Sequence, residues 1–313
     1  MRLRALAPGK VNLCLFLGGA RADRRHELVT LFESVSLADE LTLATLPRGP
    51  DQVHCPGVDR PNLVSAALEA LRGRGWDAPP VRIEIAKRIP VAAGMGGGSA
   101  DAAAALRMAQ RLAPVPEEAV AELAAQLGAD VPGQLAPGVA LGTGAGDLVK
   151  PCPPLAAHAL LIVPLSQQLS TADVYAEADR LGLPRDSEEL EALLRELDGA
   201  LEPGARLPQS LLVNDLEPAA ISLCPHVAPA LETVRDTGAD HAFVCGSGPT
   251  VAGLYWGPEA AQRAAAAATS VAGRFPGAGS VAPAGAELSA VCETFERASR
   301  GHLRVPAQFG PNR

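Results

Sequence analysis

The sequence predicts a chain of mixed helices and strands divided into two domains. Three observations point there. At 313 residues, with 48% apolar and 20% charged side chains, the chain can fill two ordinary cores and is not globally disordered. Segments of two-residue apolar alternation recur among segments of helical spacing. The run Pro151-Cys152-Pro153-Pro154 interrupts every pattern. It sets the expected boundary between a first domain over 1–150 and a second over 151–300, with 301–313 a disordered tail. Aromatics are only 3%, so the core must be built from Ala, Leu and Val.

The elements follow in order. Residues 1–46 read as strands: 11–17 is an apolar run bounded by Gly9 and Gly18-Gly19, and 41–46 alternates. Residues 62–71 carry Leu63, Ala66, Ala67 and Leu71 at helical spacing, with Asn62 a possible N-cap. Val81-Arg82-Ile83-Glu84-Ile85-Ala86 alternates cleanly as a strand and runs into a glycine loop. An Ala-rich helix is expected over 99–112, capped by Ser99 or Asp101. A second helix, over 117–127, opens after Pro116 and stops at Gly128. Pro132, Pro137 and Gly138 punctuate a loop. In the second half, 159–163 reads as a strand, 172–181 and 190–197 as helices, 240–255 as two strands around a Gly-Ser-Gly turn, and 259–272 as a helix.

Composition excludes several classes. The net charge of -8 offers no basic field for DNA or RNA, so no nucleic-acid partner is expected. The apolar runs are too short to span a bilayer, so no membrane partner is expected either. The basic start is followed only by Ala5-Leu6-Ala7 before Pro8, which is no signal segment. Six scattered cysteines without a C-x-x-C pattern argue against a disulfide framework or zinc site and for a reducing, cytoplasmic location.

The loop Pro90-Val91-Ala92-Ala93-Gly94-Met95-Gly96-Gly97-Gly98-Ser99-Ala100 joins a strand to a helix. Its four glycines remove the Cβ atoms that block close backbone approach. Successive N–H groups can then line one concavity, and the helix adds its positive end, a seat for a polyphosphate. A Walker A loop needs Gly-Lys-Ser/Thr, and here Gly98 is followed directly by Ser99. A dinucleotide fingerprint needs Gly where Ser99 stands.

Three segments then resemble the three signatures of the GHMP kinase family: Pro8-Gly9-Lys10-Val11-Asn12-Leu13, the loop at 90–103, and Val244-Cys245-Gly246-Ser247-Gly248-Pro249-Thr250-Val251. Arg25-His26-Glu27-Leu28, Leu127-Gly128-Ala129-Asp130-Val131-Pro132 and Asn214-Asp215-Leu216-Glu217-Pro218 resemble one subgroup of it, which phosphorylates the 2-hydroxyl of a cytidine-diphosphate-linked methylerythritol in the non-mevalonate isoprenoid route. The resemblance covers roughly residues 5 to 295. It implies a two-domain α+β fold with the active site in the interdomain cleft, ATP and Mg²⁺ as cofactors, and a small-molecule substrate. The chain is expected to act as a monomer or homodimer. A GHMP kinase for another small alcohol (a homoserine, a mevalonate derivative or a sugar) stays open, as does a non-catalytic nucleotide-binding relative.

The resemblance also assigns residues. Asp130, which taken alone reads as a helix cap, becomes the catalytic carboxylate that accepts the substrate hydroxyl's proton. Lys10 becomes its cationic partner. Residues 90–100 cradle the ATP phosphates, with Ser99 able to help Mg²⁺, and Asn62 stands at the adenine. Asn12, Arg25, His26, Lys87, Thr171 and Tyr175 line the substrate. Arg25 stands where the family has an aromatic, and its guanidinium can stack on a base or pair with phosphate.

Overall fold

The computed structural model describes residues 1–58 and 62–293. The expected tail at 301–313 lies outside the described residues. In chain order the elements are β1 (Arg2–Ala20), β2 (His26–Thr45), β3 (Gln52–His54), α1 (Leu63–Gly73), β4 (Val81–Ala86), α2 (Gly97–Leu112), α3 (Glu117–Leu127), α4 (Val131–Leu135), β5 (Val139–Thr143), β6 (Leu148–Pro151) and β7 (His158–Val163). There follow α5 (Thr171–Leu181), α6 (Ser187–Gly199), α7 (Glu217–Leu223), α8 (Val227–Asp236), β8 (His241–Val244), β9 (Val251–Trp256), α9 (Ala260–Val271), β10 (Gly279–Val281) and β11 (Cys292–Glu293). Among the described residues no helix is long and apolar enough to cross a membrane.

Two sheets organise these elements. The first has the order β11-β1-β2-β4-β3, with β5 also pairing β2 and β6 pairing β5. β1 and β2 run antiparallel along nearly their whole lengths. The first half of β2 then pairs β5 and its second half pairs β4. β1 is far longer than the expected 11–17 because it crosses Pro8 and Asn12 by register shifts, which let a strand continue where the ladder is broken. The second sheet has the order β10-β7-β9-β8.

Burial follows from side-chain alternation. β4 buries Val81, Ile83 and Ile85 and exposes Arg82, Glu84 and Ala86, as its pattern predicts. β7 is buried throughout because both its faces are covered. Leu160 and Ile162 face a core shared with β1 and β2, while Ala159, Leu161 and Val163 face α8 and α9. α2 buries Ala100, Ala102, Ala103, Ala104, Ala105 and Ala109. These small side chains let it lie close to β1 and α1, in the core of the first sheet.

Four local features differ from the sequence expectation or sharpen it. α2 begins at Gly97, not Ser99. Gly96 at φ 65° turns the chain into the helix with no side-chain cap, and Asp101 is drawn under the helix instead. Asn62 does cap α1, accepting the Val64 amide at 2.8 Å. The loop after Gly128 contains the short helix α4, whose first turn tolerates Pro132 because the missing N–H would be unpaired there anyway. Helices α7 and α8 occupy 217–236, where no element was expected.

Candidate active site

A cavity of about 500 Å³ opens between the loop at 90–96, the start of α2 and the middle of β1. Each wall has a local cause. Gly94, at φ 75°, lies against the β8–β9 turn, where a Cβ would stand 2.1 Å from the Cys245 carbonyl oxygen. Only glycine permits that approach. The Lys10 amide donates to the Met95 carbonyl at 3.0 Å, which ties the loop to β1. The start of α2 points into the cavity, with Gly97, Gly98 and Ser99 on its lining.

Lys10 and Asp130 meet here. Lys10 is buried, and its Nζ lies 3.4 Å from Asp130 Oδ2, whose side chain keeps 44% exposure. Nζ also donates to Asn12 Oδ1 at 2.7 Å. Asn12 Nδ2 donates to Thr30 Oγ1 at 2.8 Å, and that hydroxyl donates to the Cys14 carbonyl at 2.7 Å. This chain of bonds fixes the direction of the ammonium. Asp130 occupies the N-cap position of α4 but makes no side-chain capping bond. Its carboxylate is therefore left to the cavity and Lys10.

The remaining sequence-named residues divide. Pro90 to Ser99, Asn12, Asn62, Lys87, Thr171 and Tyr175 line the cavity. Ala100 does not; it is buried beneath the first turn of α2. Tyr175 is half-buried, and burial together with the Asp130 charge holds its phenol above the ordinary value, so it stays protonated. His26 stands behind Tyr175, its ring 5.2 Å from the tyrosine ring and its Nε2 2.8 Å from Asp179 Oδ1. Arg25 is not on the cavity lining. Its guanidinium lies between Asp23 and Asp147.

Lys87 is engaged below the loop, beside Gly97. Its ammonium is shared by Asp39 and by Asp101, the latter at 2.8 Å. Burial alone would lower its pKa, but the two carboxylates outweigh that and raise it. Asp101 is pushed up to about 7 by burial and then by Asp39. Asp39 also accepts the amides of Arg88 and Ile89, which anchors the strand-to-loop corner.

Thr30, Asp101, Gly246 and Ser247 also line the cavity; the sequence assigned none of them a binding role, although Gly246 and Ser247 stand in the third family signature and Asp101 in the loop at 90–103. Ser247 shares a hydrogen bond of 3.2 Å with Thr171, joining the β8–β9 turn to the start of α5. A charged Asp39 within the apolar run of β2 was the one local signal that could have flagged the buried cluster.

Comparison with known proteins agrees with this geometry. The profile for the GHMP kinases N terminal domain matches residues 62–143, and that for the GHMP kinases C terminal region matches 189–273. A 4-diphosphocytidyl-2-C-methyl-D-erythritol kinase of Streptomyces coelicolor is 41% identical over 263 residues, covering 81% of this chain and 88% of that protein. One of Mycolicibacterium gilvum is 42% identical over 263 residues, covering 79% and 80%. A crystal structure of 4-(cytidine 5'-diphospho)-2C-methyl-D-erythritol kinase superposes with a TM-score of 0.67 at 33% identity, covering 89% of this chain and 99% of that one. The fold is shared more widely: a homoserine kinase from Cytophaga hutchinsonii superposes at 0.64 with 21% identity. With a glycine loop, a lysine–aspartate pair and both halves of the chain matched, this protein belongs to the GHMP kinase family of ATP-dependent phosphotransferases.

Proposed function

We propose that this chain transfers the γ-phosphoryl group of ATP to the 2-hydroxyl of 4-diphosphocytidyl-2-C-methyl-D-erythritol, in the cytoplasm. The observation that carries the reading is the Lys10–Asp130 pair in the same cavity as the glycine loop. Loop amides and the positive end of α2 hold the triphosphate. Asp130 accepts the proton of the attacking hydroxyl, and the Lys10 ammonium, held by Asn12, offsets negative charge on that oxygen and the moving phosphoryl group. Asn12, Thr171 and Tyr175 form the side that receives the alcohol, with His26 behind Tyr175. The two sheets act as the cores of two domains that share this cleft, with β11 returning from the end of the second half to pair β1.

Mg²⁺ fits the site as a companion of the nucleotide. Among the described residues no cluster of three or more acidic, His or Cys side chains could cage a metal. That suits an ion that keeps waters and rides on phosphates. Ser99 and Asp130 supply oxygen atoms on the cavity lining that would contact it. When bound, it neutralises phosphate charge.

A second reading, another small alcohol as acceptor, is favoured by one observation: Arg25 is held by carboxylates and does not line the cavity. ADP release measured with the cytidyl alcohol, homoserine, mevalonate and sugars separates the two. Turnover with the cytidyl alcohol alone is the expected result. Turnover with another alcohol and none with the cytidyl compound would overturn it. A non-catalytic role fits poorly with a lysine and an aspartate held together over the phosphate seat.

A further inference from the structure

Ala145 and Gly146 form part of the cavity wall, and the turn that carries them is tight. The Gly146 amide donates to the Thr143 carbonyl at 3.0 Å, and Gly144 and Gly146 both take positive φ. This wall adjoins the residues proposed to receive the alcohol. A Cβ at Gly142, beside the Gly146 carbonyl oxygen, would touch Thr30, and Thr30 leads through Asn12 to Lys10.

Two contacts fix the turn from outside. The Leu28 amide donates to the Gly144 carbonyl at 2.7 Å. Asp147 makes the other contact with both carboxylate oxygens. Oδ1 accepts the Ala145 amide at 3.0 Å, and Oδ2 accepts Arg25 Nη1 at 3.0 Å. Arg25 is itself braced. Asp23 accepts its Nε at 3.0 Å and its backbone amide at 3.0 Å, and the Arg21 amide donates to its carbonyl at 2.7 Å. Burial alone would raise the Asp147 pKa, yet the backbone amides and Arg25 hold it below the ordinary carboxylate value. The aspartate stays charged and available to both partners.

We propose that Arg25 is a positioning residue for the acceptor: by clamping Asp147 it sets the Ala145–Gly146 wall and so selects which alcohol fits. The β1–β2 turn and the β5–β6 turn, 122 residues apart along the chain, become one rim. Held at Nε, Nη1 and Nη2 by two carboxylates and absent from the cavity lining, the Arg25 guanidinium acts on the substrate through Asp147, not by contact. This inference rests on the kinase reading but not on the identity of the alcohol.

The test is a double-mutant cycle of Arg25→Ala and Asp147→Asn, with Arg25→Lys as the conservative variant, assayed on whichever alcohol the wild type phosphorylates. Arg25→Ala is expected to raise the acceptor KM roughly fivefold, the scale of one well-placed ion pair, with kcat and the ATP KM unchanged. Arg25→Lys should recover part of that loss, and the double variant should be no worse than Asp147→Asn. Hydrogen exchange of the unliganded protein gives a second readout. In Arg25→Ala, amides in 143–148 should exchange faster while those in 91–99 do not change. The clamp is wrong if Asp147→Asn leaves the acceptor KM at its wild-type value while Arg25→Ala raises it, because Arg25 would then touch the substrate directly. It is equally wrong if the two effects multiply in the double variant, or if exchange in 143–148 is unaltered. Failure of the wild type to use the cytidyl alcohol bears on the proposed substrate alone, because the exchange experiment contains no substrate.

Discussion

Gly98 and Gly94 lie in one loop and answer to different demands. Nothing but Leu63 Cδ1, at 3.8 Å, comes near the place where a Gly98 side chain would begin. Gly98→Ala should therefore fold as well as the wild type, or gain up to about 1 kcal/mol from alanine in a helix. Its methyl group would enter the proposed phosphate seat and weaken ATP binding about tenfold, a loss of about 1.4 kcal/mol. Thermal melting and ATP titration of the same variant check both halves. Gly94→Ala should do the reverse. Its Cβ collides with the Cys245 carbonyl, so stability should fall by about 1–3 kcal/mol before ATP is considered. From sequence the two glycines look alike. The difference is set by what the fold brings against them, residues 245–248 in one case and open cavity in the other.

At the scale of elements, the proposed phosphate seat depends on the corner between β4 and α2. Asp39 on β2 is fully buried. It accepts two consecutive backbone amides, from Arg88 and Ile89, and shares Lys87 with Asp101. Asp39→Ala removes one member of a buried charge cluster and leaves those amides unpaired. The expected cost is about 3–5 kcal/mol, read by urea denaturation. Elements with an uninterrupted period were legible: β4 by its alternation, α2 by its alanines and α1 by its Asn62 cap. β1 was read too short because bulges restart its alternation. α4, α7 and α8 were missed because each is short and carries a proline, in α4 and α7 within the first turn, so local chemistry reads as loop while packing decides otherwise.

Across the whole molecule, the two sheets are joined by a buried pair. His158 on β7 lies 2.7 Å from Glu33 on β2, and each side chain is only 2% exposed. Burial by itself would lower the His158 pKa, but the hydrogen bond and charge of Glu33 outweigh it and the net shift is upward from 6.5. A histidine pKa raised in the fold stabilises fully below its unfolded value and loses that contribution as pH rises through the folded one. The wild type should therefore lose melting temperature as pH climbs above 6.5, and His158→Gln should show a flatter profile over the same range. Scanning calorimetry at a series of pH values decides it. Such long-range pairings, like Arg25 with Asp147, leave no local trace in the sequence. The chemistry-bearing motifs are the exception. Lys10, the loop at 90–99 and Asp130 each carry a recognisable local pattern, and the fold brings all three to one cavity. The proposed transfer requires the loop to hold ATP while the carboxylate takes a proton. ATP affinity and kcat of Asp130→Asn, measured side by side, test this most directly. ATP binding should stay within about twofold of the wild type while kcat falls on the order of 10²-fold or more; a variant that turns over at the wild-type rate would remove Asp130 from the chemistry.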